Sequence, residues 1–229
     1  MNRTVPLLTD PDQVRATLIS APVPAVPAVD APVGIAWLRA HVPRFSTGPE
    51  HERLRALVTV ELDRLSPADL RERARTADGS LPHVHALAEA LGLQDISVDQ
   101  VALVAAHYQP YEPDNPAADE AVVALVAACG GIADDTTAAR ICLLVQACAA
   151  TGALVDNARL SNATGTAEQI IARTVDENPP LRSTRRVVAG EVVELDLRHP
   201  GLGFGAGPHA CPGREHAIAI AAGIIEGSA

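Results

Sequence analysis

The densest chemistry in the chain lies in the loop GLGFGAGPHACPG (201 to 213), where His209 and Cys211 sit in a glycine-rich run ahead of an Ala/Ile stretch of helical composition. A cysteine at a helix start meets unpaired N–H groups and the positive end of the helix dipole, which favour a thiolate. The run fails as a dinucleotide loop, since no set of its glycines gives G-x-G-x-x-G and no strand-helix-strand unit surrounds it. As a zinc site, His209, Cys211 and His216 lack paired spacing and a fourth ligand. The bland alternative is a small buried hydrophobe, which is the reading for Cys129, Cys142 and Cys148. Elsewhere, His51 and Arg55 are four apart on one helix face, and an Arg fork suits a carboxylate. Asp134-Asp135-Thr136-Thr137 places carboxylates and hydroxyls in an apolar helical stretch. They are costly there unless water or a ligand uses them, or unless Asp134 or Asp135 is the N-cap of a new helix.

The elements that must position these groups are mostly helical. Of 229 residues 48% are hydrophobic and 20% charged, and a mean hydropathy of +0.13 fits a folded chain. Five aromatics leave a core of Ala, Val, Leu and Ile. A formal charge of -10 argues against nucleic acid as a partner. All 18 basic residues are Arg, which excludes Schiff-base chemistry and a P-loop lysine. Asp134, Asp135 and Arg140 interrupt the best apolar run, predicting no membrane span. The N-terminus, MNRTVPLLTDPDQV, has no basic start followed by an apolar stretch. The expectation is therefore a cytoplasmic protein with no secretory signal and no disulfide framework.

Along the chain, a short helix near 11 to 19 leads into a Pro-rich stretch, making 1–33 an arm and 34–229 the compact domain. GPEHERLRALVTVELDRL (48 to 65) has helical spacing of Leu54, Leu57, Val58 and Leu62. Ser66 caps a further helix with Pro67 at its first position, and another spans 82 to 92. The stretch from Ala117 to about Leu154 is helical, with a kink or split at Gly130-Gly131 or at Asp134 to Thr137. Thr166 and Gln169 form a capping box for a helix that ends before Pro179-Pro180. STRRVV and EVVEL flank Ala189-Gly190 as a short hairpin.

The segment Phe204-Gly205-Ala206-Gly207-Pro208-His209-Ala210-Cys211-Pro212-Gly213 resembles the haem-binding loop of the cytochromes P450, F-G-x-G-x-H-x-C-x-G, at every fixed position. The resemblance implies haem b with Cys211 as thiolate ligand, Phe204 near the sulfur, Gly205 and Gly213 shaping the loop, and His209 on a propionate. Gly48-Pro49-Glu50-His51-Glu52-Arg53-Leu54-Arg55 is similar to the family's P-E-H-x-R-L-R segment, which puts His51 and Arg55 on a propionate. Pro179-Pro180-Leu181-Arg182-Ser183-Thr184-Arg185-Arg186 is similar to P-P-x-x-S-T-R-R and adds Arg186. Ala133-Asp134-Asp135-Thr136-Thr137 resembles the A-G-x-[DE]-T-T kink of the oxygen-side helix, making Asp135 and Thr136 the catalytic pair that manages protons.

The chain departs from the family pattern in being far shorter. The resemblance implies a mostly α, shortened P450-like fold with a small β hairpin. It lacks most of the F and G helices, which leaves little room between Leu93 and Ala117, and most of the β1 sheet and meander. The family's E-x-x-R positions hold Arg173 and Asp176, which at a spacing of three can form a salt bridge with exchanged charges. The implied activity is monooxygenase-type oxidation of a small or carrier-bound organic substrate with a ferredoxin or reductase as donor. The alternatives are a redox-neutral haem enzyme (dehydratase or isomerase) and a non-catalytic haem-binding accessory subunit. A homo- or hetero-oligomer through the unroofed face is a further expectation.

Overall fold

Local sequence sets most helix starts in the computed structural model, which describes residues 5–24, 26, 31–113, 115–161 and 163–228. α1 (Pro11–Ser20) opens on Asp10, whose Oδ1 accepts the Gln13 N–H at 2.9 Å. α2 (Ile35–Ala40) has no cap of its own, and Asp119 from far along the chain accepts the Ile35 N–H at 2.8 Å. α3 (Gly48–Asp63) and α4 (Pro67–Thr76) both carry Pro in the first turn, and Ser66 Oγ accepts the Asp69 N–H. α5 (Pro82–Ala90) is followed by α6 (Val98–Ala106), a helix in the interval where little room was expected. α7 (Pro116–Ala128) and α8 (Asp135–Leu160) realise the split, with Gly130 and Gly131 at positive φ between them. The Thr166–Gln169 capping box opens α9 (Ala167–Glu177), and α10 (Arg214–Gly227) follows the Cys211 loop.

α4, α5, α8 and α10 pack as a four-helix bundle, with α9 laid across α8 and α10. α3 and α6 lie against α8, and α7 lies against α6. Among the described residues one helix, α8, is long and apolar enough to cross a membrane by length and composition, a test that a buried core helix also passes. Its charges lie towards its ends, Asp135 and Arg140 in the first two turns and Asp156 and Arg159 in the last two. The apolar length between them forms the middle of the bundle, and twelve residues of the helix are buried. Leu70, Val84, Ile141, Leu144, Leu154, Ile171 and Ile220 belong to this one core.

β2 (Ser183–Val188) and β3 (Glu191–Asp196) form the antiparallel hairpin, turning on Ala189 and Gly190, both at positive φ as a two-residue primed turn requires. The sheet has a third strand that the sequence did not announce: β1 (Leu7–Leu8) pairs parallel with β3. Val14 and Leu18 of α1 join Leu195, Leu197 and Leu202 in a second, smaller core beneath this sheet. The Pro-rich stretch between α1 and α2 falls partly outside the described residues.

Candidate functional site

The loop after β3 is built by backbone turns. The Gly205 N–H donates to Leu202 O at 2.8 Å, the Ala210 N–H to Gly207 O at 3.0 Å, and the Cys211 N–H to Phe204 O at 2.9 Å. Gly205 and Gly207 take φ of 71° and 70°, conformations that side chains resist. The loop is also wedged from two sides. A Cβ on Gly207 would lie 2.6 Å from the Ile19 Cα of α1, and one on Gly203 would lie 3.1 Å from the Val175 carbonyl oxygen of α9. The Cys211 side chain opens to the surface at one edge. Its dense surroundings push the thiol up, opposed by a hydrogen bond from the Gly213 backbone and by the charges of Arg55 and Arg214. A coordinating metal would remove that proton outright.

The residues assigned to carboxylate binding come together beside this loop. His51 of α3 and His209 meet with ring centroids 3.9 Å apart and planes tilted by 45°. Burial, then the charges of His51, Arg186, Arg55 and Arg44, bring His209 down to about 3. Burial likewise lowers His51, with Arg55 adding to it. Arg186 is 3% exposed and pushed down to about 10 by burial and by Arg44. Its Nη1 donates to Arg185 O at 2.8 Å, while its Nε and the His51 Nε2 are buried with no partner. Among the described residues no carboxylate hydrogen-bonds or ion-pairs with His51, Arg55, Arg186 or His209. A cluster of two histidines and two arginines with no carboxylate bonded to it, in a chain of charge -10, suits an anion. The two propionates of haem fit this donor set. An open groove of about 510 Å³ runs past it, lined by His51, Arg55, Thr59, Val60 and Pro208, with Glu52 also on its wall.

Asp134 Oδ1 accepts the Thr137 N–H at 2.8 Å, so the segment begins a helix rather than bending one. Asp135 Oδ2 accepts from Arg53 Nη1 of α3 at 2.6 Å, and Thr136 is exposed in the first turn of α8. The exchanged Arg173–Asp176 pair does not form. Arg173 Nη2 donates to Thr164 O at 2.9 Å, and Asp176 Oδ1 accepts the Gly201 N–H at 3.3 Å, because each group meets a nearer loop partner. Sequence reasoning did not single out Arg53, although it lies inside the quoted α3 motif. It also passed over Arg44, and Arg214, whose guanidinium stands 5.3 Å from the Phe204 ring.

His51 gives the pocket a pH dependence of its own. Burial and the Arg55 charge disfavour its charged form, which an incoming carboxylate favours, so binding takes up a proton at His51 and this contribution weakens as pH rises. Coordination by Cys211 releases its thiol proton and acts with the opposite sign. When ferric haem is titrated into the protein between about pH 6 and pH 8, the affinity of His51→Gln should therefore shift, relative to wild type, towards tighter binding at the alkaline end. A pH dependence unchanged by His51→Gln would remove His51 from the pocket.

The sequence matches no known family profile and no curated protein. Its structure is similar to that of a thermophilic cytochrome P450 from Sulfolobus tokodaii, with a TM-score of 0.76 and 16% identity, covering 99% of this chain and 87% of that one. P450BioI, solved in complex with an acyl carrier protein ligated with hexadec-9Z-enoic acid, gives a TM-score of 0.71 at 16% identity over 96% of this chain and 83% of that one. A versatile cytochrome P450 enzyme from Bacillus subtilis gives 0.62 at 14% identity over 96% and 84%. At these identities the likeness is one of fold, and with the short hairpin sheet and the single helix between α5 and α7 it leads to one statement: the chain has the cytochrome P450 fold in a shortened form.

Proposed function

We propose that the chain is a haem-thiolate oxidoreductase of the monooxygenase type. The observation that carries this reading is the loop in which the Cys211 N–H bonds Phe204 O, set beside a cluster of two histidines and two arginines to which no carboxylate is bonded. Haem b supplies, when bound, one-electron and oxygen chemistry that no side chain offers. Cys211 Sγ would hold its iron, with the Gly213 backbone and Arg55 favouring the thiolate. Phe204, with Arg214 over its ring, would stand beside it in the loop. His51, Arg55, Arg186 and His209 would hold the propionates through charge-assisted hydrogen bonds. In this reading Thr136 and Asp135 would manage protons on the oxygen side of the site.

The substrate class is a small or carrier-bound organic molecule; the carrier-protein complex of P450BioI supports the carrier-bound form. A ferredoxin-type donor and a partner or second copy over the open face belong to the same reading. A redox-neutral haem enzyme is the second reading. It is favoured by one observation, that Asp134 caps a new helix whose first turn leaves Thr136 exposed, in place of a kink inside a longer helix. Oxygen uptake and peroxide release with a surrogate reductase separate the two. Thr136→Ala should raise peroxide released per electron by several-fold at constant haem content. Equal coupling in wild type and Thr136→Ala would move the assignment to the redox-neutral enzyme.

A further inference from the structure

α3 and α8 meet through two charged contacts of different kinds. In the middle of the crossing, Glu61 is 4% exposed and accepts from both Arg64 and Arg140, at 2.7 and 3.0 Å. That contact satisfies a buried carboxylate. At the first turn of α8, Arg53 reaches Asp135 at 2.6 Å, yet neither helix needs this bond for its own stability. Arg53 already holds a bidentate partner on its own helix, Glu50, with Nε to Oε2 at 3.0 Å and Nη2 to Oε1 at 2.7 Å. α8 already has its cap in Asp134. The guanidinium is thus oriented by Glu50, and its remaining arm points at one carboxylate. Arg53 stands two residues from both His51 and Arg55, and so faces α8 from the side of α3 opposite to the basic cluster.

We propose that Arg53, aimed by Glu50, is the positioning residue of Asp135, fixing that carboxylate at the first turn of α8 and offsetting its charge there. The inference rests on the reading of Asp135 and Thr136 given under Proposed function. It makes one helix responsible for both sides of the site, since α3 presents cations to the propionate cluster and a separate cation to the carboxylate of α8.

The charge that Arg53 offsets can be read without turnover, by equilibrium binding of azide, an anion, and imidazole, a neutral ligand, to the haem-loaded protein at low ionic strength. In Arg53→Gln the Asp135 charge is uncovered and repels the anion, so azide should bind about two- to five-fold more weakly while imidazole is unchanged. Arg53→Lys should restore part of the loss, and Glu50→Gln should give a smaller loss of the same sign. In Asp135→Asn, adding Arg53→Gln should no longer weaken azide. Equal changes in azide and imidazole would show a general disturbance of the pocket and overturn the proposal. So would an Arg53→Gln effect that persists in the Asp135→Asn background. Failure of the wild type to take up haem at all would overturn the haem-thiolate reading itself, and this inference with it.

Discussion

Cys211→Ala should lose the thiolate signature in the reduced carbon monoxide spectrum completely, while Cys129→Ala, Cys142→Ala and Cys148→Ala keep it. The four cysteines differ in what surrounds them. Cys142 and Cys148 are buried in α8, and burial pushes their thiols up with no cation close enough to reverse it. Cys129, half-buried at the end of α7, is pushed up in the same way. Cys211 alone sits in a backbone-built loop beside Arg55, Arg214 and the Gly213 backbone, at the threshold of α10. The measurement is the spectrum of each variant after haem reconstitution, with haem content determined separately. Retention of the thiolate band by Cys211→Ala would refute the ligand assignment.

The second large effect is expected far from the loop, at Gly223. A Cβ there would lie 2.2 Å from the Arg71 carbonyl oxygen of α4, and one at Gly227 would lie 2.2 Å from that of Arg75, one turn along each helix. α4 and α10 therefore touch backbone to backbone, and Arg71 ties the crossing through Glu226 of α10 and Glu168 of α9. Gly223→Leu must drive the helices apart at a fully packed crossing, at a cost of about 3 kcal/mol or more. In a chain of this length that lowers the midpoint of thermal unfolding by about 6 to 12 °C. Because α10 continues directly from the Cys211 loop, the rate of haem loss should rise with it. Ile225→Leu, which changes shape at a half-buried position of the same helix, is the control and should shift the midpoint by less than about 3 °C. A Gly223→Leu protein as stable as that control would show that the two helices do not meet this closely.

How far the sequence foretold this structure depended on how local each feature is. Ser66 with Pro67 and Thr166 with Gln169 mark helix starts because the cap and the N–H it accepts lie within three residues. The hairpin was legible because the turn at Ala189 and Gly190 and its flanking strands are contiguous. α6 was legible but unread: Ser97 followed by Gln100 carries the capping pattern, and Ser97 Oγ does accept the Gln100 N–H. β1 was not legible, since two residues gain strand character only by pairing with Glu194 and Leu195 near the other end of the chain. Motif spacing identified the members of the basic cluster, but their lack of an acidic partner is a property of the folded chain. The bond between Arg53 and Asp135 spans 82 residues, and nothing in either segment encodes it.

The contact between the first helix and the Cys211 loop bears on the order of events in biosynthesis. His199 Nε2 bonds Thr9 O across 190 residues, Leu8 pairs with Leu195, and Gly207 rests on Ile19. Contacts this distant cannot form on the ribosome until nearly all of the intervening chain has emerged, and loop closure at such separation makes them slow. The helical bundle has local contacts to form first. Its first strand and helix must wait for partners made about 190 residues later, so the loop that carries Cys211 is among the last parts of the fold to be fixed in place.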